Sequence, residues 1–150
     1  MMKLLSSIAV SLFLFTGCAE KPKEKFSPIG VWQTHEAWDN NMITITVRPD
    51  SVMLFKVEKR FCPGTKYFVS AGKWKVENDS ILSMQTFTDG RHYEIRELFP
   101  ELVQTQKDST NVVALDITAK LLFDKDHLYD MLPEGKRSPI KFYDRISEVK

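Results

Sequence analysis

The chain has 150 residues but only two cysteines, Cys18 and Cys62, so no framework of several disulfides can hold it and its stability must come from a core. It has no long apolar run. The longest, between Leu4 and Phe15, is too short to cross a hydrocarbon layer of ~30 Å, which takes ~20 apolar helical residues. It has little excess of charge of either sign, with 21 basic and 20 acidic side chains. The absence of a basic stripe excludes nucleic acid as a partner, because phosphate binding needs clustered Lys and Arg. No helical stripe is sustained beyond Phe26, which excludes a helical bundle. Motifs of catalysis and metal binding are missing as well. His35 and Glu36 begin a His-Glu-x-x-His pattern, but Asp39 stands where the second His belongs. There is no Gly-x-Ser-x-Gly elbow, and Cys62 has no neighbouring His to activate it. His92 and His127 stand alone beside turns, while Asp124 with Asp126 and Glu94 with Glu97 read as solvated faces or turn caps. These absences argue for a protein that is not an enzyme and needs neither a metal nor a cofactor.

What is present begins with an export signal. Lys3 precedes the apolar stretch Leu4 to Phe15, interrupted only by Ser6, Ser7 and Ser11, and Thr16 and Gly17 lead into Cys18. Residues 1–17 therefore read as a signal peptide rather than as part of the fold. Phe15-Thr16-Gly17-Cys18 resembles the lipobox of bacterial lipoproteins, with Phe15 in place of the usual Leu. The resemblance implies cleavage before Cys18, acylation of its thiol and attachment to a membrane through the acyl chains. One chain holds only marginally, whereas two or three anchor stably at ~0.8 kcal/mol per buried methylene. Residues 18–25, Cys-Ala-Glu-Lys-Pro-Lys-Glu-Lys, are too polar to fold and serve as a tether. Ala19 after the Cys, rather than Asp, points to the outer membrane rather than the inner one, so the protein is expected in the cell envelope. With Cys18 acylated, Cys62 is left without a partner, and the simplest expectation is a buried thiol acting as a small apolar side chain.

Residues 26–150 form the one expected domain. Short β-branched and aromatic runs recur there between turn residues: Ile29–Thr34, Met42–Val47, Val52–Val57, Tyr67–Val76, Ile81–Thr88, Arg91–Phe99, Asn111–Phe123, Leu128–Leu132 and Ile140–Ile146. Arg48-Pro49-Asp50-Ser51, Glu77-Asn78-Asp79-Ser80, Asp89-Gly90, Asp124-Lys125-Asp126 and Pro133-Glu134-Gly135-Lys136 supply tight turns. Strands joined by such short turns run antiparallel, since a parallel pair needs a long crossover. Within the runs the side chains alternate: Ile43, Ile45 and Val47 oppose Thr44 and Thr46, and Tyr93 and Ile95 oppose His92, Glu94 and Arg96. One face is thus buried and one wet. The pattern specifies an all-β fold, an antiparallel meander of eight or nine strands closed into a β-barrel. Pro100–Thr110 carries no strand signal and forms either a loop or a short helix.

Ile29-Gly30-Val31-Trp32 at the start of the first strand resembles the Gly-x-Trp motif of lipocalins, and Arg145 on the last strand resembles that family's C-terminal Arg. Ala71-Gly72-Lys73-Trp74 is similar to a hairpin of small bacterial lipocalin-like lipoproteins. The resemblance implies that Gly30, Trp32 and Arg145 close the barrel, the indole plugging its narrow end beneath a guanidinium. Such a cation–π contact contributes ~0.5 to 2 kcal/mol. Phe55, Phe68, Trp74, Phe87, Tyr93 and Phe99 are all assignable to inward faces of strands. A small barrel either fills its interior with such rings or leaves one apolar pocket. An open pocket would bind a small hydrophobic ligand, a fatty acyl chain or a porphyrin-like ring, with Arg96 or Lys73 near the mouth to meet a carboxylate. A filled interior would suit a protein- or glycan-interaction module working through its loops, and convergent titratable groups at the mouth would revive a hydrolase or isomerase. A monomer is expected.

Overall fold

The computed structural model describes residues 25–34, 41–62, 64–87, 97–104 and 111–149. Nine strands appear in the order β1 Gly30–Thr34, β2 Asn41–Val47, β3 Val52–Phe61, β4 Gly64–Glu77, β5 Ile81–Thr86, β6 Val112–Ala114, β7 Ala119–Phe123, β8 His127–Met131 and β9 Arg137–Ser147. A short helix, α1, covers Pro100–Gln104 between β5 and β6. The sheet runs β3-β2-β1-β9-β8-β7-β5-β4, and the β3–β4 pairing joins its two ends. The result is a closed antiparallel barrel of eight strands, with β6 as an extra ninth.

The turns follow from residue chemistry. Ser51, Asn78 and Asp79 adopt positive φ values of 65°, 51° and 60°, conformations that short polar side chains tolerate best. In the β2–β3 turn the Arg48 amide donates to the Val52 carbonyl at 2.9 Å, and the Asp50 carboxylate accepts from the Val52 amide. Asp124 organises the β7–β8 turn by accepting from the amides of Asp126 and His127 at 3.0 and 2.9 Å. These three turns, together with the first and last strands' outer ends, form one end of the barrel. The connections after β3 and β8 lie at the other, which is its mouth.

Alternation buries Trp32, Ile45, Val47, Met53, Leu82, Met84, Leu121, Phe123, Leu128 and Tyr143 as the inner core. A second cluster lies on the opposite face of β3 and β4. There Leu54 and Val69 pack against Phe99 and Leu102, with Val52, Tyr67, Ala71, Leu98 and Val112 around them. The helical segment therefore covers the outer face of two barrel strands, pinned by an ion pair between Lys56 and Glu101 at 3.1 Å.

Four expectations change. The Arg91–Phe99 run ends in helical turn at Glu97 and Leu98 rather than as a strand, while residues 91–96 lie outside the described part. Asn111–Phe123 is two strands, split by the extended coil 115–118. The meander is interrupted at this excursion, because β6 pairs parallel to β4 through Tyr67↔Val112 and Val69↔Ala114 while β7 returns to pair with β5. The cause is the second layer: once the chain leaves β5 to cover Leu54 and Val69, it comes back beside β4 in the same direction. Cys62 also differs, for it is exposed in the β3–β4 turn rather than buried.

Candidate functional site

The closed end is built around Trp32, which is fully buried. Trp32 and Arg145 are register partners across β1 and β9, and the guanidinium lies 4.4 Å above the indole ring. The Trp32 Nε1–H donates to the Pro28 carbonyl at 3.0 Å. Arg145 donates to the carbonyls of Ile29 and Ser27 at 3.2 and 2.6 Å, which draws residues 27–29 across the barrel's base. Gly30 makes room for this layer: a Cβ there would stand 3.1 Å from the Ser147 carbonyl oxygen and 3.7 Å from both the Arg145 guanidinium and the indole nitrogen. Gly30, Trp32 and Arg145 are thus one closing unit. Trp74 belongs to the same end, packing on the inner core and donating from Nε1 to the Arg48 carbonyl at 2.8 Å. It seals the β2–β3 turn.

Towards the mouth the packing changes. Trp32, Ile45, Val47, Met53, Leu82 and Leu128 on the inner face are fully buried, but Ile43, Phe55, Val57 and Phe68 on β2, β3 and β4 are only half-buried. Register places Ile43 opposite Val57, Phe55 opposite Ser70 and Val57 opposite Phe68, so these side chains share the inward face. A cavity of about 290 Å³ opens here. Phe55 lines it from β3, Ile117 and Thr118 from the coil, Ala119, Lys120 and Leu121 from β7, Asp130 and Met131 from β8, and Tyr143 from β9.

The polar feature of this cavity is a pair that sequence reasoning missed. The Tyr143 hydroxyl donates to the Asp130 carboxylate at 3.1 Å. Burial, reinforced by the Asp130 charge and the hydrogen bond, pushes the Tyr143 phenol far above its ordinary value. The hydroxyl therefore stays protonated and remains a donor. Ser70, 4% exposed, has a buried hydroxyl without a hydrogen-bond partner and faces inward opposite Phe55. A buried, unused hydroxyl is uncommon, since most buried polar atoms are satisfied. Alternation was the signal available for the pair, because Asp130 shares its face with the fully buried Leu128.

The other expected ring residues distribute as follows. Phe68 faces the mouth, with Lys66 Nζ 5.5 Å from its ring centroid. Phe87 is half-buried just after β5, where its amide donates to the Ala71 carbonyl at 3.1 Å. Phe99 is buried in the outer cluster beneath the helix and takes no part in the interior. Tyr93, Arg96, His35, Glu36, Asp39, His92 and Cys18 lie outside the described residues. Lys73 is not at the mouth: it is exposed and pairs with Val52, close to the base. Among the described residues no group of three His, Cys, Asp or Glu side chains is arranged to hold a metal ion. His127 instead sits on the outer face, between Asp124 at 3.6 Å and Asp144 at 3.3 Å and against the rings of Tyr129 and Phe142.

Comparison with known proteins finds no family model, curated protein or solved structure that matches this chain.

Proposed function

We propose that this chain is a lipid-anchored, lipocalin-like protein of the bacterial envelope that takes a small hydrophobic molecule bearing one polar group into the mouth half of its barrel. The observation that carries this reading is the cavity between Phe55, Ala119, Leu121 and Tyr143, with the Tyr143–Asp130 pair in its wall. Its wall mixes apolar side chains with polar ones, and small-molecule sites combine apolar lining with placed polar groups. Its size selects among guests: at about 290 Å³ it stands at the bottom of the ~300–1,000 Å³ range of ligand pockets, which suits a single ring or short chain better than a porphyrin. A carboxylate headgroup is also a poor fit, because the cavity wall offers Asp130, the lining Lys120 is already paired with Glu77 at 3.3 Å, and Lys73 is remote.

Native mass spectrometry of protein extracted from the membranes that make it tests the reading, with a co-purifying small molecule as the expected result. The anchor is tested separately. Cys18→Ser should abolish incorporation of labelled palmitate and release a folded protein into the soluble fraction; retention on washed membranes would disprove the acyl attachment.

A second reading rests on the mouth's rim, where Phe61, Leu115 and Leu132 are 51%, 38% and 36% exposed. Exposed apolar side chains suit a protein partner. Substituting all three by Ser while the small molecule still co-purifies separates the two readings.

A further inference from the structure

We propose that the closed end of the barrel docks on the lipid bilayer and that the mouth points away from it. This rests on the acylation of Cys18 proposed above. The tether meets the fold at the base: Lys25 pairs with Asp79 in the β4–β5 turn at 3.5 Å, and residues 27–29 are held beneath Trp32 by Arg145. From Cys18 to Lys25 the chain can reach at most ~25 Å even when fully drawn out. The ten residues of β3 span ~30 Å from base to rim, or ~25 Å along the axis once strand tilt is allowed for. Pressing the mouth onto the membrane would thus stretch the tether to nearly its full length. Resting the base there leaves it slack, and the entropy of the tether favours that pose.

The surface at the base fits the same partner. Phe26, Val76 and Ile146 are 42%, 40% and 51% exposed there. Phe26 follows the tether directly, Ile146 is next to Arg145, and Val76 lies beside the turn that holds Lys25. Lys25, Lys75 and Lys125 lie on the same end, but Lys25 and Lys75 are paired with Asp79 and Glu77, so the three apolar side chains rather than net charge carry the docking. A mouth aimed outward exchanges its ligand with the aqueous compartment or a soluble partner rather than drawing it from the anchoring bilayer.

Cys62 supplies a native label site at the rim, because it is exposed in the β3–β4 turn. The acylated full-length protein is labelled at Cys62 with a small fluorophore. A second sample carries the label at Lys125→Cys, in the turn at the base, in a Cys62→Ser background. Both are reconstituted into phosphatidylethanolamine–phosphatidylglycerol vesicles containing a headgroup-nitroxide lipid. The label at position 125 should be quenched severalfold more than the label at position 62. Equal quenching, or stronger quenching at Cys62, would overturn the orientation while co-flotation with the vesicles keeps the anchor. Protein that fails to float with the vesicles overturns the anchor, and the orientation with it.

Discussion

Trp32 shows how much of this fold depends on single side chains. Its ring is fully buried, capped by a guanidinium, and tied to the main chain at Pro28. Trp32→Ala should cost ~3 to 5 kcal/mol as a large-to-small core change. Urea denaturation measures it, and a loss under ~1 kcal/mol would show that the indole is not the plug of the barrel. Tyr143 offers a prediction of a different kind, in pH. Its folded-state phenol titrates well above the ordinary value because burial and then Asp130 disfavour the anion. An unfolded chain releases that proton near pH ~10, so above that value the unfolded state binds fewer protons than the folded one. The contribution of Tyr143 is therefore complete below pH ~10, and stability falls as pH rises further, by up to ~1.4 kcal/mol per pH unit. Tyr143→Phe should lose ~1 kcal/mol at neutral pH with its hydrogen bond, yet decline less steeply in alkali. The residual slope belongs to Tyr129, raised by burial and then by Asp124. Equal alkaline slopes in the two proteins would exclude the assignment.

Among the elements, β4 carries the most, since it closes the ring against β3, bonds β5 over its second half and receives β6 over its first. Gly72 lies where these duties meet, paired with Met53 on one side and Thr86 on the other. A Cβ at Gly72 would collide with the main chain of Gln85 and stand 2.9 Å from the Thr86 Cα, and neither is a flexible side chain that can step aside. Gly72→Ala should thus cost ~3 kcal/mol, at the upper side of overpacking penalties, and speed amide exchange in β4 and β5. A change below ~0.5 kcal/mol would mean that the two strands separate without effort. Most strands were legible because alternation and turn chemistry agree, as in Ile43, Ile45 and Val47 before Arg48–Ser51. The tip of the β3–β4 hairpin was not, for Glu58-Lys59-Arg60 shows no apolar alternation, and pairing with β4, and for Glu58 and Lys59 also with β2, keeps it extended. The outer layer was hidden for another reason. Tyr93 and Ile95 alternate as in a strand, but Leu98, Phe99 and Leu102 answer a demand made elsewhere in the chain. Val52, Leu54, Tyr67, Val69 and Ala71 make β3 and β4 apolar on both faces, and two-sided strands of this sort announce a second cover.

At the scale of the whole molecule, packing is graded along the barrel axis, and this gradient is what separates structure from function. The base is dense: Trp32, Ile45, Val47, Met53, Leu82 and Leu128 have no exposed surface. The mouth half is looser, with its cavity against Phe55, Ala119 and Tyr143. Composition could foretell an aromatic interior but not this division, because a ring serves equally as plug or as lining until its height on the strand is known. Trp74 and Phe55 occupy the same inward face and differ only in that height, so one seals a turn and the other borders free volume. If the volume is kept for a guest rather than for folding, filling it should improve stability at the expense of binding. Ala119→Leu adds three carbons from β7, and at ~0.8 kcal/mol per buried methylene the gain has a ceiling of ~2 kcal/mol. About half of that is expected once side-chain entropy and imperfect fit are included, at ~0.5 to 1 kcal/mol for ordering a Leu. Urea denaturation of the variant should show this rise, while native mass spectrometry should show the co-purifying small molecule gone. A variant destabilised by more than ~1 kcal/mol would reveal a site already packed to the density of a core, and a stabilised variant that still holds its guest would move the binding site elsewhere on the molecule.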